Sequence, residues 1–196
     1  LYILDSNNII RKLELPLFKD EKSAFFQGIF ENINITFKNL DAYKKYKVKF
    51  PKVRLDVSTE EERNNLRVGT DGFQLAEIEL NDTEGYDKTD SNTKVTSSDP
   101  ILKWGESGSP KGEEPEMIVD NKVSTKYYNF VNNENTSLTF HFNKPENITS
   151  INFISANDAL LRSPISYELF GGNEENEFTL ISKGAIINEL YIFVIV

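Results

Sequence analysis

Cysteine is absent from this chain, and histidine, tryptophan and methionine occur once each in 196 residues. Without cysteine there can be no disulfide, no thiolate metal ligand and no cysteine nucleophile, and the redox compartment stays open. The single histidine, His141, alternates with Phe140 and Phe142, a pattern that places it on the solvent side of a strand rather than in a catalytic pair. No apolar run reaches the roughly 18 residues of a membrane span; Ile192-Phe-Val-Ile-Val196 is strand-like and far too short. Basic residues are outnumbered, 22 Lys and Arg against 31 Asp and Glu, for a formal net charge of −9. That balance argues against a nucleic-acid surface and is compatible with cation binding or with solubility alone. The chain opens on Leu1, neither an initiator Met nor the start of a signal peptide, and so reads as a fragment.

Aromatic residues are plentiful, 14 Phe and 8 Tyr, enough to build a packed core. They recur in short alternating runs. Phe30–Phe37, Tyr46–Phe50, Val53–Val57, Leu75–Leu80, Ser137–Phe142, Ile148–Ile154, Ser166–Phe170 and Phe178–Ile181 each read as a turn-bounded strand with one buried face. Helical signal is confined to single turns at Glu60–Leu66 and Pro115–Val119. The pattern predicts an all-β chain built as an antiparallel sandwich. Residues 81–100 are polar and turn-rich and read as a linker or long loop.

One pattern occurs twice. Leu1-Tyr-Ile-Leu-Asp5 followed by Asn8-Ile-Ile-Arg-Lys-Leu13 is echoed by Phe178-Thr-Leu-Ile-Ser182 followed by Ala185-Ile-Ile-Asn-Glu-Leu190. Long-period similarity of this kind signals repeated architecture. It suggests that residues 1–80 close one module and residues 101–196 open the next. The strands of residues 1–80 then need a partner sheet, either on chain beyond this sequence or on residues 95–196 as one rearranged sandwich.

The segment from Gly112 through Asp120, Thr125 and Phe130 resembles the early part of discoidin-like domains, also called coagulation-factor type C or galactose-binding-like domains. Ile154 to Phe178, with its Ala-Asn-Asp loop, Arg-x-Pro-like step and Gly171-Gly172 hairpin, is similar to the middle of that family. Leu75–Leu80 is similar to its closing strand, and Ala42–Phe50 to the strand before it. The resemblance implies a jelly-roll sandwich that binds sugars, lipids or proteins through variable loops. It also implies a structural calcium site at Asp120 and Thr125, completed by Ala76 and Glu77, with Met117 and Lys122 offering carbonyl oxygens. Calcium takes six to eight such oxygens. Where the family has Gly-Asn or Gly-Asp after the aspartate, this chain has Asn121-Lys122, and Glu77 precedes Asp120, so in a tandem array the two belong to neighbouring modules. The alternative is that Asp120 caps the turn through Lys126 as an Asx-turn.

Ligand candidates follow from side-chain chemistry. Trp104, in Leu102-Lys-Trp-Gly-Glu-Ser-Gly108 beside flexible residues, offers an indole for stacking on a sugar face, or else plugs the core. Asn157, Asp158 and Arg162 offer amide, carboxylate and guanidinium to hydroxyl groups; alternatively an Arg162–Asp158 pair fixes their loop. Lys45, Lys47 and Lys49 alternate on one strand face, the usual arrangement of a solvated, protected edge. Glu60-Glu61-Glu62 and Glu174-Glu175 are loop charges with no partner in a mechanistic motif, so glycosidase chemistry finds no support.

Taken together these features predict a non-enzymatic module of a cell-surface or extracellular protein that recognises a glycan or another protein. The competing expectation is a structural repeat that packs against neighbouring modules of the same protein in a fibre, coat or ciliary assembly. A third is an accessory domain of a larger enzyme.

Overall fold

The computed structural model describes residues 2–4, 10–12, 32–57, 60, 72–98, 109–130, 136–175 and 177–186. Its strands run in chain order β1 (Tyr2–Leu4), β2 (Ile10–Lys12), β3 (Asn32–Thr36), β4 (Tyr43–Lys49), β5 (Phe73–Leu75), β6 (Glu77–Asp82) and β7 (Lys94–Ser97). They continue as β8 (Tyr127–Asn129), β9 (Ser137–Glu146), β10 (Ile148–Ile154), β11 (Ser166–Gly172) and β12 (Thr179–Ala185). Single 3₁₀ turns occupy Arg54–Val57, Pro115–Val119 and Leu160–Arg162.

Alternation of side chains decides which face each strand buries. In β4, Tyr46 and Val48 are fully buried while Lys45, Lys47 and Lys49 point away from them. Five strands pair in the order β12-β11-β4-β9-β7 and three in the order β3-β10-β6, all antiparallel. Their inner faces meet in one core, where the Phe153 ring of the smaller sheet lies 5.4 Å from Tyr167 of the larger. Phe50, just past β4, closes on Phe153 from the same side at 6.2 Å. Burying aromatic rings edge to face in this way is what holds two sheets in a sandwich. Tyr46 fastens the β9–β10 turn: its hydroxyl donates to the Glu146 carbonyl at 2.7 Å and accepts from the Ile148 amide at 3.2 Å. Burial in that place pushes its pKa up to about 12.

The structure bears on three expectations. Strands from both sides of residues 81–100 alternate within each sheet (β6 beside β10, β4 between β9 and β11), so residues 32–82 and 94–185 contribute to one sandwich, the second of the two arrangements that the sequence left open. The supposed linker is part of it: β6 runs to Asp82, Asp82 anchors the tight turn to Tyr86, and β7 returns as the outer strand of the larger sheet. The physical reason is that sheet neighbours here are distant in sequence, which a left-to-right division cannot reveal. Second, β4 is the middle strand of five, so its lysines do not protect an edge. Third, Val53–Val57 is not a strand; after Pro51, the Val53 amide is capped by the Asp56 carboxylate at 2.8 Å and the chain takes a 3₁₀ turn.

The first copy of the repeated pattern forms an antiparallel pair, with Tyr2 opposite Lys12 and Leu4 opposite Ile10. Most of Glu60–Leu66, and the second copy beyond Ile186, lie outside the described residues.

Candidate functional site

Two neighbouring clusters gather at one rim, where β5, β8 and the loops after the Pro115 turn and after β10 meet. The first is acidic. Pro115 starts the 3₁₀ turn at its N-terminal position, and Ile118 and Val119 bury themselves in the core, leaving Asp120 at its C-terminal cap. Asn121 then takes φ 59°, a conformation asparagine tolerates, and the chain turns back. The Thr125 hydroxyl donates to both Asp120 carboxylate oxygens, at 2.8 and 2.9 Å, and stands 2.7 Å from the Lys122 carbonyl. The Lys122 amide donates to Asp120 Oδ1 at 3.0 Å, which is an Asx-turn, and to Glu77 Oε1 at 2.8 Å.

Glu77 follows buried Ala76 between β5 and β6 and is itself only 2% exposed. Its second oxygen, Oε2, is buried without a protein hydrogen-bond partner. Burial, and then the adjoining Asp120 carboxylate, push the Glu77 carboxyl up to about 8. Ala76, Glu77, Asp120 and Thr125 therefore assemble at one place, within one sandwich and not across two modules. A buried carboxylate with an orphaned oxygen beside a second carboxylate suits a hard divalent cation, which would displace the proton that the raised pKa favours on Glu77. The donors would be Glu77 and Asp120 with Thr125 and turn carbonyls; among the described residues no third His, Cys, Asp or Glu joins them. Lys122 Nζ, 4.0 Å from Asp120 Oδ2 and 68% exposed, is free to swing outward.

The second cluster begins where that turn ends. Lys126 Nζ lies 2.6 Å from Asp158 Oδ1 and 2.7 Å from Oδ2, with Glu113 at 3.8 Å and Gln74 Oε1 at 3.3 Å. Fully buried Gln74 reaches the opposite way, its Nε2 donating to the carbonyls of Asp158 and Ala159. Ala159 is held at φ 40°, an uncommon conformation for a residue with a Cβ. Gly72, at φ 109°, lets Tyr128 lie against the backbone, since a Cβ there would fall 2.6 Å from Tyr128 Cε2 and closer still to the Asn129 carbonyl. The Arg162 guanidinium sits 4.3 Å from the Tyr128 ring centroid, and the ring of Phe130, 44% exposed, lies 4.9 Å from the same ring and tilted to it by 60°.

Asp158 and Arg162 are thus brought to one platform, with exposed Asn157 on the same loop. The close cation of Asp158 is Lys126, where the sequence suggested Arg162. Trp104 lies outside the described residues. Gln74, Lys126, Tyr128 and Phe130 were not singled out by sequence. The one available signal was parity in Lys126–Phe130, which sets Tyr127 toward the core and Tyr128 toward the loops.

No protein-family model matches the chain, and comparison with curated proteins gives no significant match. Among the described residues no helix is long and apolar enough to cross a membrane.

Proposed function

We propose that this chain is a discoidin-like, galactose-binding-like sandwich that binds a carbohydrate or a surface partner and does no catalysis. The observation that supports it best is the rim platform, where an exposed aromatic ring, a stacked guanidinium and an ion-paired carboxylate converge on a loop locked from beneath by Gln74. Sugar sites need this mixture. A flat apolar surface takes the ring face, and fixed polar groups take the hydroxyls.

The cation reading belongs to the same function. A calcium ion held by Glu77, Asp120 and Thr125 would stiffen the turn that leads directly into Lys126–Phe130. Its role here is structural: it orders the platform before a ligand arrives, which lowers the ordering cost of binding. A cell-surface or extracellular setting, as opposed to a ciliary or other large assembly, goes with this reading.

A glycan array probed with the whole chain in millimolar calcium tests it. Binding that is lost in Phe130→Ala and in Arg162→Ala is the expected result. No glycan signal, together with protection of the same loops in a self-assembled form, would replace it with the structural-repeat reading.

A further inference from the structure

Away from that rim, the outer face of the five-stranded sheet carries an unusual charge pattern. The register aligns Lys94, His141 and Lys45 in one row across β7, β9 and β4. The next row is Thr96, Thr139, Lys47, Phe170 and Leu180, and the third is Ser137, Lys49, Glu168 and Lys183. These three rows hold five lysines and the histidine against one carboxylate, in a chain whose net charge is −9. The one carboxylate, Glu168, stands between Lys49 and Lys183, and no carboxylate stands opposite the lysines of the other two rows. Burial, then Lys94 and Lys45, hold His141 below the usual histidine range, a sign of the positive potential there. Edge protection covers Lys94 and Lys183 on the outer strands, but it does not account for Lys45, Lys47 and Lys49, because β4 is the central strand.

We propose that this face is a docking surface for a polyanionic glycan, a linear sugar chain bearing carboxylate or sulfate groups. The surface is independent of the rim platform. Alternate residues along β4 recur about every 6.8 Å, so Lys45, Lys47 and Lys49 form a regular line, flanked by Lys94 and Lys183 on the outer strands, suited to a polymer of repeating negative charge. Thr96 and Thr139 set hydroxyls between the lysines, and Thr96 Oγ1 already makes a 3.0 Å hydrogen bond with His141 Nε2. Such groups serve sugar hydroxyls. Other polyanions fit less well. No arginine stands in these rows, so an anion would meet point charges rather than planar forks. Neither phenylalanine is bare for base stacking: Lys47 Nζ lies 3.8 Å above the Phe178 ring and Lys49 Nζ 5.8 Å from that of Phe170. The exposed large apolar side chain on these rows is Leu180, too little to insert into a bilayer.

The test measures binding of the whole chain at low salt to labelled alginate (carboxylate), dextran sulfate (sulfate), neutral dextran, duplex DNA and phosphatidylserine vesicles. Binding to one or both acidic glycans and not to neutral dextran is expected, weakening as salt is raised. The two glycan arms tell which anion is read. Lys45→Gln/Lys49→Gln should weaken binding at least tenfold, while Lys38→Gln/Lys111→Gln, off this face, should leave it unchanged. Should the first variant unfold, Lys94→Gln with Lys183→Gln on the outer strands serves in its place. Absence of acidic-glycan binding, equal loss in the off-face variant, or tighter binding to DNA or vesicles would overturn the proposal.

Discussion

Glu77 and Asp120 share one backbone amide: the Lys122 N–H points between them, 2.8 Å from Glu77 Oε1 and 3.0 Å from Asp120 Oδ1. Asp120 also accepts from the Thr125 hydroxyl, whereas Glu77 Oε2 is buried without a protein partner, so the unmet demand falls on Glu77 and its carboxyl is pushed up to about 8.

The sign follows from the raised pKa. Glu77 is pushed from 4.5 up to about 8 on folding, so its favourable contribution is complete below about 4.5 and is lost as pH rises through about 8. Cation-free protein should therefore lose thermal stability between pH 5 and 8, and Glu77→Gln should flatten that part of the profile. Millimolar calcium should raise Tm most at the alkaline end, where no proton has to be displaced, and Asp120→Ala should abolish the gain. Scanning calorimetry across pH, with chelator and with calcium, checks each statement. A calcium-independent Tm in the native chain would leave Asp120 as an Asx-turn former.

Gln74 ties the rim together because both ends of its amide are used, toward Lys126 and toward the Asp158 and Ala159 carbonyls. Gln74→Ala should cost about 1–3 kcal/mol, the usual penalty for stranding buried carbonyls. Hydrogen exchange should quicken at residues 157–162 before it does in β9 or β10. Uniform acceleration throughout the sandwich would show that Gln74 supports the whole core instead.

The fold's strands were legible because alternation is local: the apolar residues of β3, β9, β10 and β11 announce their buried face every second position. The sheet order was not. β6 pairs with β10 and β4 with β9, and nothing in the sequence near Glu77 says that it will stand beside Asp120. The acidic residues came from a family resemblance, and their meeting from the topology. Gln74, Lys126 and Asp158 lie in three separate segments, and their polar contacts have no periodicity to betray them. Val53–Val57 alternates like a strand, yet the Asp56 side chain captures the Val53 amide and curls it.

Two glycines separate backbone conformation from crowding. Gly72 at φ 109° is packed against Tyr128 and Asn129, whereas Gly85 at φ 85° has nothing within 4 Å of where its Cβ would stand. Gly85→Ala should cost about 1–2 kcal/mol, the left-handed penalty alone. Gly72→Ala carries that penalty and a steric one, and should also displace Tyr128 from beneath Arg162. Denaturant melts of the two variants compare the costs directly, and near-ultraviolet circular dichroism reports on the tyrosine. Equal costs would mean that the Tyr128 packing is loose.

Phe153 tests whether the two sheets form one cooperative unit. It is 1% exposed, belongs to the three-stranded sheet, and touches Phe50 and Tyr167 on the side of the five-stranded sheet. Phe153→Ala removes the ring on which both lean, and should cost about 3–5 kcal/mol by lost burial and the cavity left behind. Because strands from residues 32–82 and 137–185 are interleaved, that loss should appear as one transition, shifted to lower denaturant with an unchanged slope. If residues 1–80 and 101–196 were separate modules, the substitution would split the transition in two, and the portion from residues 1–80 would stay where it was. Fluorescence and circular dichroism followed through the same titration distinguish the cases: coincident curves go with the shared sandwich, and separated curves with divided modules.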